Sequence, residues 1–320
     1  LEQTVDAPKY AFPKSTLRRF RWIRRYGVLI LMILPGVIYL LINNYLPMLG
    51  IIIAFKDVNY AKGILQSDWI GFKNFEFLFR TNDAYIITRN TILYNITFIV
   101  LHVIAAVTLA VLLNELKNRF LARFYQSVVL LPYLISAVII GYLVFSLLSV
   151  ETGIMNKKIL PMLGLGEISW YTETKYWPYI LTMVSVWKTA GHLCVIFLAA
   201  IVGIDKEYFE AATIDGASRW QQIRSITIPL ITPVITIMTL LAIGRIFHSD
   251  FGLFYQVPLD SGPLLPVTNV IDTYVYRSLL TLGDIGMSSA AGVYQSVVGF
   301  LLVLISNYIV RKINSDNALF

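Results

Sequence analysis

Apolar residues in this chain fall in long, nearly unbroken runs rather than in the short stripes of a soluble fold. Six stretches come close to the ~20 residues that a helix needs to cross about 30 Å of hydrocarbon. They are residues 26–46, 85–113, 128–150, 177–203, 234–247 and 288–310. None alternates with the two-residue period of a barrel strand, so the pattern predicts an all-α polytopic membrane bundle of six transmembrane helices. The fifth stretch is the least regular, because Arg245 sits near its end and Pro229 and Pro233 interrupt its approach. The third contains Pro132 and Gly141, which allow bending, although membrane helices tolerate both residues routinely.

Composition agrees. The chain is 57% hydrophobic and 14% charged, against about 45–50% and about 25% in soluble domains. So little charge cannot cover a water-facing surface, and most of the apolar excess must face lipid. The net charge of +7 does not point to nucleic acid, since its basic residues cluster at the ends of apolar runs without aromatic interleaving. Read as topology signals, they place the amino terminus inside, with 15 basic residues on that side and 9 outside. Both termini are then cytoplasmic. A basic segment 1–25 leads into a transmembrane domain 26–310 with a cytoplasmic loop at about 204–229, and 311–320 is a cytoplasmic tail. Arg18–Arg25 reads equally well as a topology anchor or as an amphipathic helix on the inner leaflet. The stretch from Trp69 to about Phe79 suits a helix at the outer interface. Cys194 is the only cysteine, so no intrachain disulfide forms. The first apolar stretch is too long for a signal-peptide core, so it reads as a retained span.

The densest chemistry lies in the loop before the fifth stretch, Ile204-Asp205-Lys206-Glu207-Tyr208-Phe209-Glu210-Ala211-Ala212-Thr213-Ile214-Asp215-Gly216-Ala217-Ser218. Asp205 is a good N-cap, and Glu207 suits the positive end of a helix dipole. Tyr208 to Ile214 then form about two turns of helix, and Gly216 supplies the left-handed residue that ends it. Ala211 and Ala212 let another backbone approach, and Glu210 is a charged handle. Ser218 starts a second helix that Pro229 interrupts. By cap chemistry alone, an ordinary inter-span loop accounts for this equally well.

The full pattern is more restrictive. Glu210-Ala211-Ala212, Gly216 and Ile226-Thr227-Ile228-Pro229 resemble the signature loop of binding-protein-dependent ABC importer permeases, with Ile228 where leucine is usual. Leu34-Pro35-Gly36, Leu113-Asn114-Glu115, Leu131-Pro132-Tyr133 and Val270-Ile271-Asp272-Thr273-Tyr274 are similar to the oligosaccharide and polysaccharide branch. The resemblance implies a multi-pass subunit of the bacterial inner membrane, without catalysis of its own. Its partners would be a second, different permease, two cytoplasmic ATPase subunits that bind the ATP and magnesium, an extracytoplasmic binding protein, an oligosaccharide and lipid. Glu210, Ala211, Ala212 and Gly216 would contact the ATPase, and Asp215 would support the turn. No phosphate-cradling glycine-lysine loop occurs here, so the chain needs an ATPase partner.

Charge at membrane depth marks a pathway by default. Lys188 and His192 lie one turn apart in the fourth stretch, and Arg245 and His248 lie near the outer end of the fifth, just before Asp250. In a sugar path, Trp187 and Tyr133 would stack on pyranose faces, and basic groups would favour an acidic, alginate-type sugar. The competing assignment is interhelical adhesion, with Lys188 or Arg245 bonded to carbonyls or paired with Asp250. His102 fits packing and a hydrogen bond better than a functional role. An ion-gradient transporter would require inverted repeats and midplane carboxylates, which are not seen. A membrane enzyme would require a cluster such as His-Glu-x-x-His, which is absent.

Overall fold

The computed structural model describes residues 14–76 and 80–313. Residues 1–13, with Lys9, as well as Phe79 and the end of the tail therefore lie outside the described residues. The chain divides into two compact units, Leu1–Ile52 and Ile53–Phe320.

In the first unit, α1 (Lys14–Leu40) runs without a break, so Arg18–Arg25 prolong the first span and form no separate surface helix. Pro35 lies inside it. The apolar run extends past the expected Leu46, as far as Phe55, and its large apolar side chains from Val28 to Ile51 are exposed.

The second unit holds α2 (Asn82–Asn114), α3 (Arg119–Leu134), α4 (Ala137–Leu148), α5 (Trp177–Val202), α6 (Lys206–Ile214), α7 (Arg219–Gln222), α8 (Ile228–Ile243), α9 (Phe251–Gln256), α10 (Ile271–Leu282) and α11 (Ile285–Ile313). Among the described residues, five helices are long and apolar enough to cross a membrane, and a sixth span follows if the bent pair α3–α4 counts as one. The all-α expectation therefore stands. Two-residue strands β1 (Lys56–Asp57) and β2 (Asp68–Trp69) form the described sheet.

One expectation is made definite and two need correction. The third apolar stretch, where Pro132 and Gly141 leave a bend open, does bend, and α3 and α4 meet at 96°. Ile135 and Ser136 are extended there, and the Ser136 hydroxyl accepts from the N–H of Ile139 to start α4 afresh. Apolarity continues across the break, so hydropathy does not register it. Trp69 does not begin an interfacial helix. It sits in β2, and left-handed Gly71 stops helical propagation. The Lys56 ammonium, buried under this hairpin, donates to the carbonyls of Ile64 (3.1 Å) and Leu65 (2.7 Å).

Pro229, finally, does not interrupt the helix before the fifth span. Residues Ile223–Thr227 form a π-turn in which the N–H of Ile228 bonds the carbonyl of Ile223, and α8 follows directly. A proline ring clashes with the carbonyl four residues back, and one wide turn moves that carbonyl aside. The same device precedes Pro47, with Leu46 N–H bonding Leu41, and Pro161, with Leu160 N–H bonding Met155. The fifth span thus runs from Arg219 to Ile243 and ends short of Phe247.

The core is built where α5 lies along α2. The half away from the loop helix is aromatic, with Tyr94, Phe98, Trp177 and Phe254 among its buried members. The half nearer the loop helix uses small residues, Ala106, Ala110 and Cys194, against Phe197, Ile201 and Ile231. Small side chains let membrane helices approach closely, which replaces the missing hydrophobic drive between them.

Candidate functional site

The signature loop folds as its residues dictate. Asp205 is extended, and its carboxylate accepts from the N–H of Glu207 at 3.1 Å to cap α6. At the other end, Gly216 has φ of +80°. Around it, Ala217 N–H bonds the Ala212 carbonyl (2.9 Å) and Gly216 N–H bonds that of Thr213 (3.1 Å), the paired bonds of a Schellman stop. Ser218 then caps α7 reciprocally with Gln221: its N–H donates to Oε1 at 2.7 Å, and its hydroxyl accepts from the Gln221 N–H at 3.4 Å. The result is a short, rigid helix with Glu210, Ala211, Asp215 and Gly216 exposed and Ala212 half-buried. Tyr208, Ile214 and Trp220 stand beside them, 58%, 87% and 69% exposed. Apolar side chains this bare at a loop require either lipid or a protein partner.

Sequence reasoning missed Gln222. It is buried, and its Nε2 donates to the Thr213 hydroxyl of α6 (3.0 Å) and the Ala217 carbonyl (3.3 Å). The capping box Ser218-x-x-Gln221 was legible, but nothing local says that the next glutamine turns inward.

The membrane-depth residues separate into two groups. Tyr133 of α3 stacks on His192 of α5, with centroids 4.3 Å apart and planes within 9°. The two meet because Gly191 lets the α3 backbone approach: a Cβ there would lie 1.9 Å from the Val129 carbonyl oxygen. Lys188 makes a 2.8 Å ion pair with Asp250, and the other carboxylate oxygen caps α9 through the Leu253 N–H at 3.1 Å. Trp187 is 47% exposed and lines both a groove of about 1020 Å³ between α2 and α5 and an adjoining one of about 490 Å³ reaching Pro132. Arg245 is exposed and its side chain makes no hydrogen bond or ion pair among the described residues. His102 bonds Ser185 at 3.0 Å and stacks on Phe98, as packing required.

His248 faces Asp272 of α10. Its ring lies 4.0 Å from Asp272, which also accepts from the Ser249 N–H (2.7 Å) and Gln295 Nε2 (3.3 Å). Burial raises the Asp272 carboxyl above its ordinary range, against the lowering pull of those donors. This knot ties the end of the fifth span to α10 and α11.

One prediction follows from the ion pair. Lys188→Met strands Asp250 and should lower the melting temperature more than the double change with Asp250→Asn. A double-mutant cycle on the detergent-solubilised protein measures this, and additive losses would mean the pair is not coupled.

Residues 103–315 match the family model described as "Binding-protein-dependent transport system inner membrane component". The chain belongs to that family. This permease is 34% identical over 303 residues to Protein LplB of Bacillus subtilis (strain 168), covering 94% of this chain and 92% of the relative. It is 35% identical over 288 residues to the polygalacturonan/rhamnogalacturonan transport system permease protein YteP of the same organism, covering 90% and 89%. Among solved structures, a bacterial ABC transporter involved in the import of the acidic polysaccharide alginate contains a chain with TM-score 0.84 and 32% identity. The match covers 93% of this permease and 99% of that chain. A second structure of a bacterial alginate ABC transporter, in complex with its alginate pentasaccharide-bound periplasmic protein, matches with TM-score 0.83 and 31% identity over 92% and 98%. The permease is thus a multi-pass ABC importer subunit.

Proposed function

We propose that this permease lines half of the path of an ATP-driven importer of acidic oligosaccharides in the bacterial inner membrane. Its termini and α6 face the cytoplasm, where α6 docks on an ATPase subunit through Glu210, Ala211, Ala212 and Gly216. A second, different permease completes the path, an extracytoplasmic protein delivers the sugar, and ATP and magnesium are held by the two ATPase partners. The observation that carries this reading is the end-to-end likeness to a subunit of an alginate importer. The bare apolar and acidic face of a doubly capped α6 supports the docking.

The charge assignment differs between the two basic candidates. Lys188 already satisfies Asp250, so Arg245 is the cation left to meet a carboxylate on the sugar. Trp187 and the Tyr133–His192 stack offer faces for pyranose rings. Arg245→Met is therefore expected to cut uptake of an oligouronate about tenfold and to leave a neutral saccharide of equal length nearly unaffected. Uptake of both labelled sugars into proteoliposomes reads this directly. Equal losses for the two sugars would remove Arg245 from the recognition of charge.

A further inference from the structure

The loop helix α6 is attached unequally to the two spans it joins. Toward α8, three sets of bonds bind it: the Schellman pair around Gly216, the Ser218–Gln221 capping box, and buried Gln222 reaching back to Thr213 and Ala217. The Gln222 carbonyl also accepts from Arg219 at 3.4 Å, so both ends of its amide are used. From Gln222 the helix continues without a gap through the π-turn into α8.

Toward α5 the attachment is thin. Helix α5 ends at Val202, and the last bonds of the chain to it are Gly203 N–H to Ala199 and Ile204 N–H to Ile201. Asp205 is then extended at ψ of 133°, and its side chain caps α6 itself. Among the described residues, no side-chain hydrogen bond or ion pair joins α6 to α5.

We infer that α6, α7 and α8 move as one rigid lever, that Gln222 is the positioning residue that locks α6 to it, and that Asp205 is the hinge. The force received at α6 then enters the fifth span first and reaches the fourth through the packing of Ile231 against Phe197 and Ile201. The buried amide matters because an unbraced α6 absorbs the stroke by tilting about Gly216. This inference rests on the docking of α6 proposed above.

The test uses the complete transporter with Cys194 changed to serine and spin labels placed by Lys206→Cys on α6, Met183→Cys on α5 and Leu241→Cys on α8. On adding ATP, the 206–183 distance should change, while the 206–241 distance keeps its mean and width. Gln222→Ala and Thr213→Val should broaden the 206–241 distribution and lower sugar transported per ATP by about fivefold. Thr213→Ser, which keeps the accepting hydroxyl, should behave as the original. That rescue separates positioning from a general loss of packing. A 206–241 distance that shifts as much as 206–183, or coupling unchanged in Gln222→Ala, would overturn the lever. An ATPase that binds and drives transport normally in both Glu210→Lys and Gly216→Val would instead overturn the docking itself, and the lever with it.

Discussion

Gly191→Val will prevent the permease from accumulating in the membrane. The added Cβ would stand 1.9 Å from the Val129 carbonyl oxygen, 2.6 Å from its carbon and 3.1 Å from the Leu130 nitrogen. All three atoms are helix backbone, so no side chain can swing away. The only relief is to part α3 from α5, and that seam also carries the Tyr133–His192 stack. Overpacking a core by a side chain costs about 1–3 kcal/mol, and separating two backbones forfeits contacts along the whole crossing as well. Even alanine should be poorly tolerated. Gly292→Ala in α11 is the matched control, because a Cβ there meets nothing within 4 Å. Membrane yield and melting temperature of the solubilised protein decide the matter, and a Gly191→Val chain equal to the original in both would refute the crossing.

The second large effect concerns coupling. Gly216→Val meets no steric obstacle, since nothing lies within 4 Å of its Cβ, so its whole cost is conformational. A left-handed L-residue costs about 1–2 kcal/mol, and valine lies at or beyond the upper end because its branch crowds the backbone. The helix stop should therefore slip and displace the exposed face of α6. Glu210→Lys leaves that stop intact and reverses the handle's charge. Both should let the transporter assemble and hydrolyse ATP while uptake drops about tenfold, with Gly216→Asn close to normal because asparagine tolerates the left-handed region. Uptake and ATPase rates measured on the same proteoliposomes separate uncoupling from misfolding. Full coupling in both Gly216→Val and Glu210→Lys would dismiss α6 as the contact.

How much was legible depended on whether the signal was local. Cap chemistry is local, and so Asp205, Gly216 and Ser218 all appear in their expected roles. Hydropathy is nearly local, and it placed the fourth span to within one residue at its end. Pro132 and Gly141 left a bend open in the third span, but its place at Ile135–Ser136 was not legible, because two apolar helices joined end to end have the hydropathy of one. The continuity of the fifth span escaped for a related reason, since proline reads as a breaker unless a π-turn precedes it, and no residue preference announces such a turn. Side-chain partners across the fold were open alternatives. Lys188 proved to be paired with Asp250, while Arg245 was left exposed, and only the relative placement of α5, α8 and α9 decides between them.

The most direct measurement reconstitutes this permease with its co-purifying subunits in proteoliposomes and follows ATP hydrolysis as binding protein is added, empty or loaded with oligouronate. An ATPase and a second permease are expected to purify with the chain, and loaded binding protein to raise hydrolysis severalfold and drive uptake. A chain that purifies alone and moves sugar on an ion gradient without ATP would contradict it.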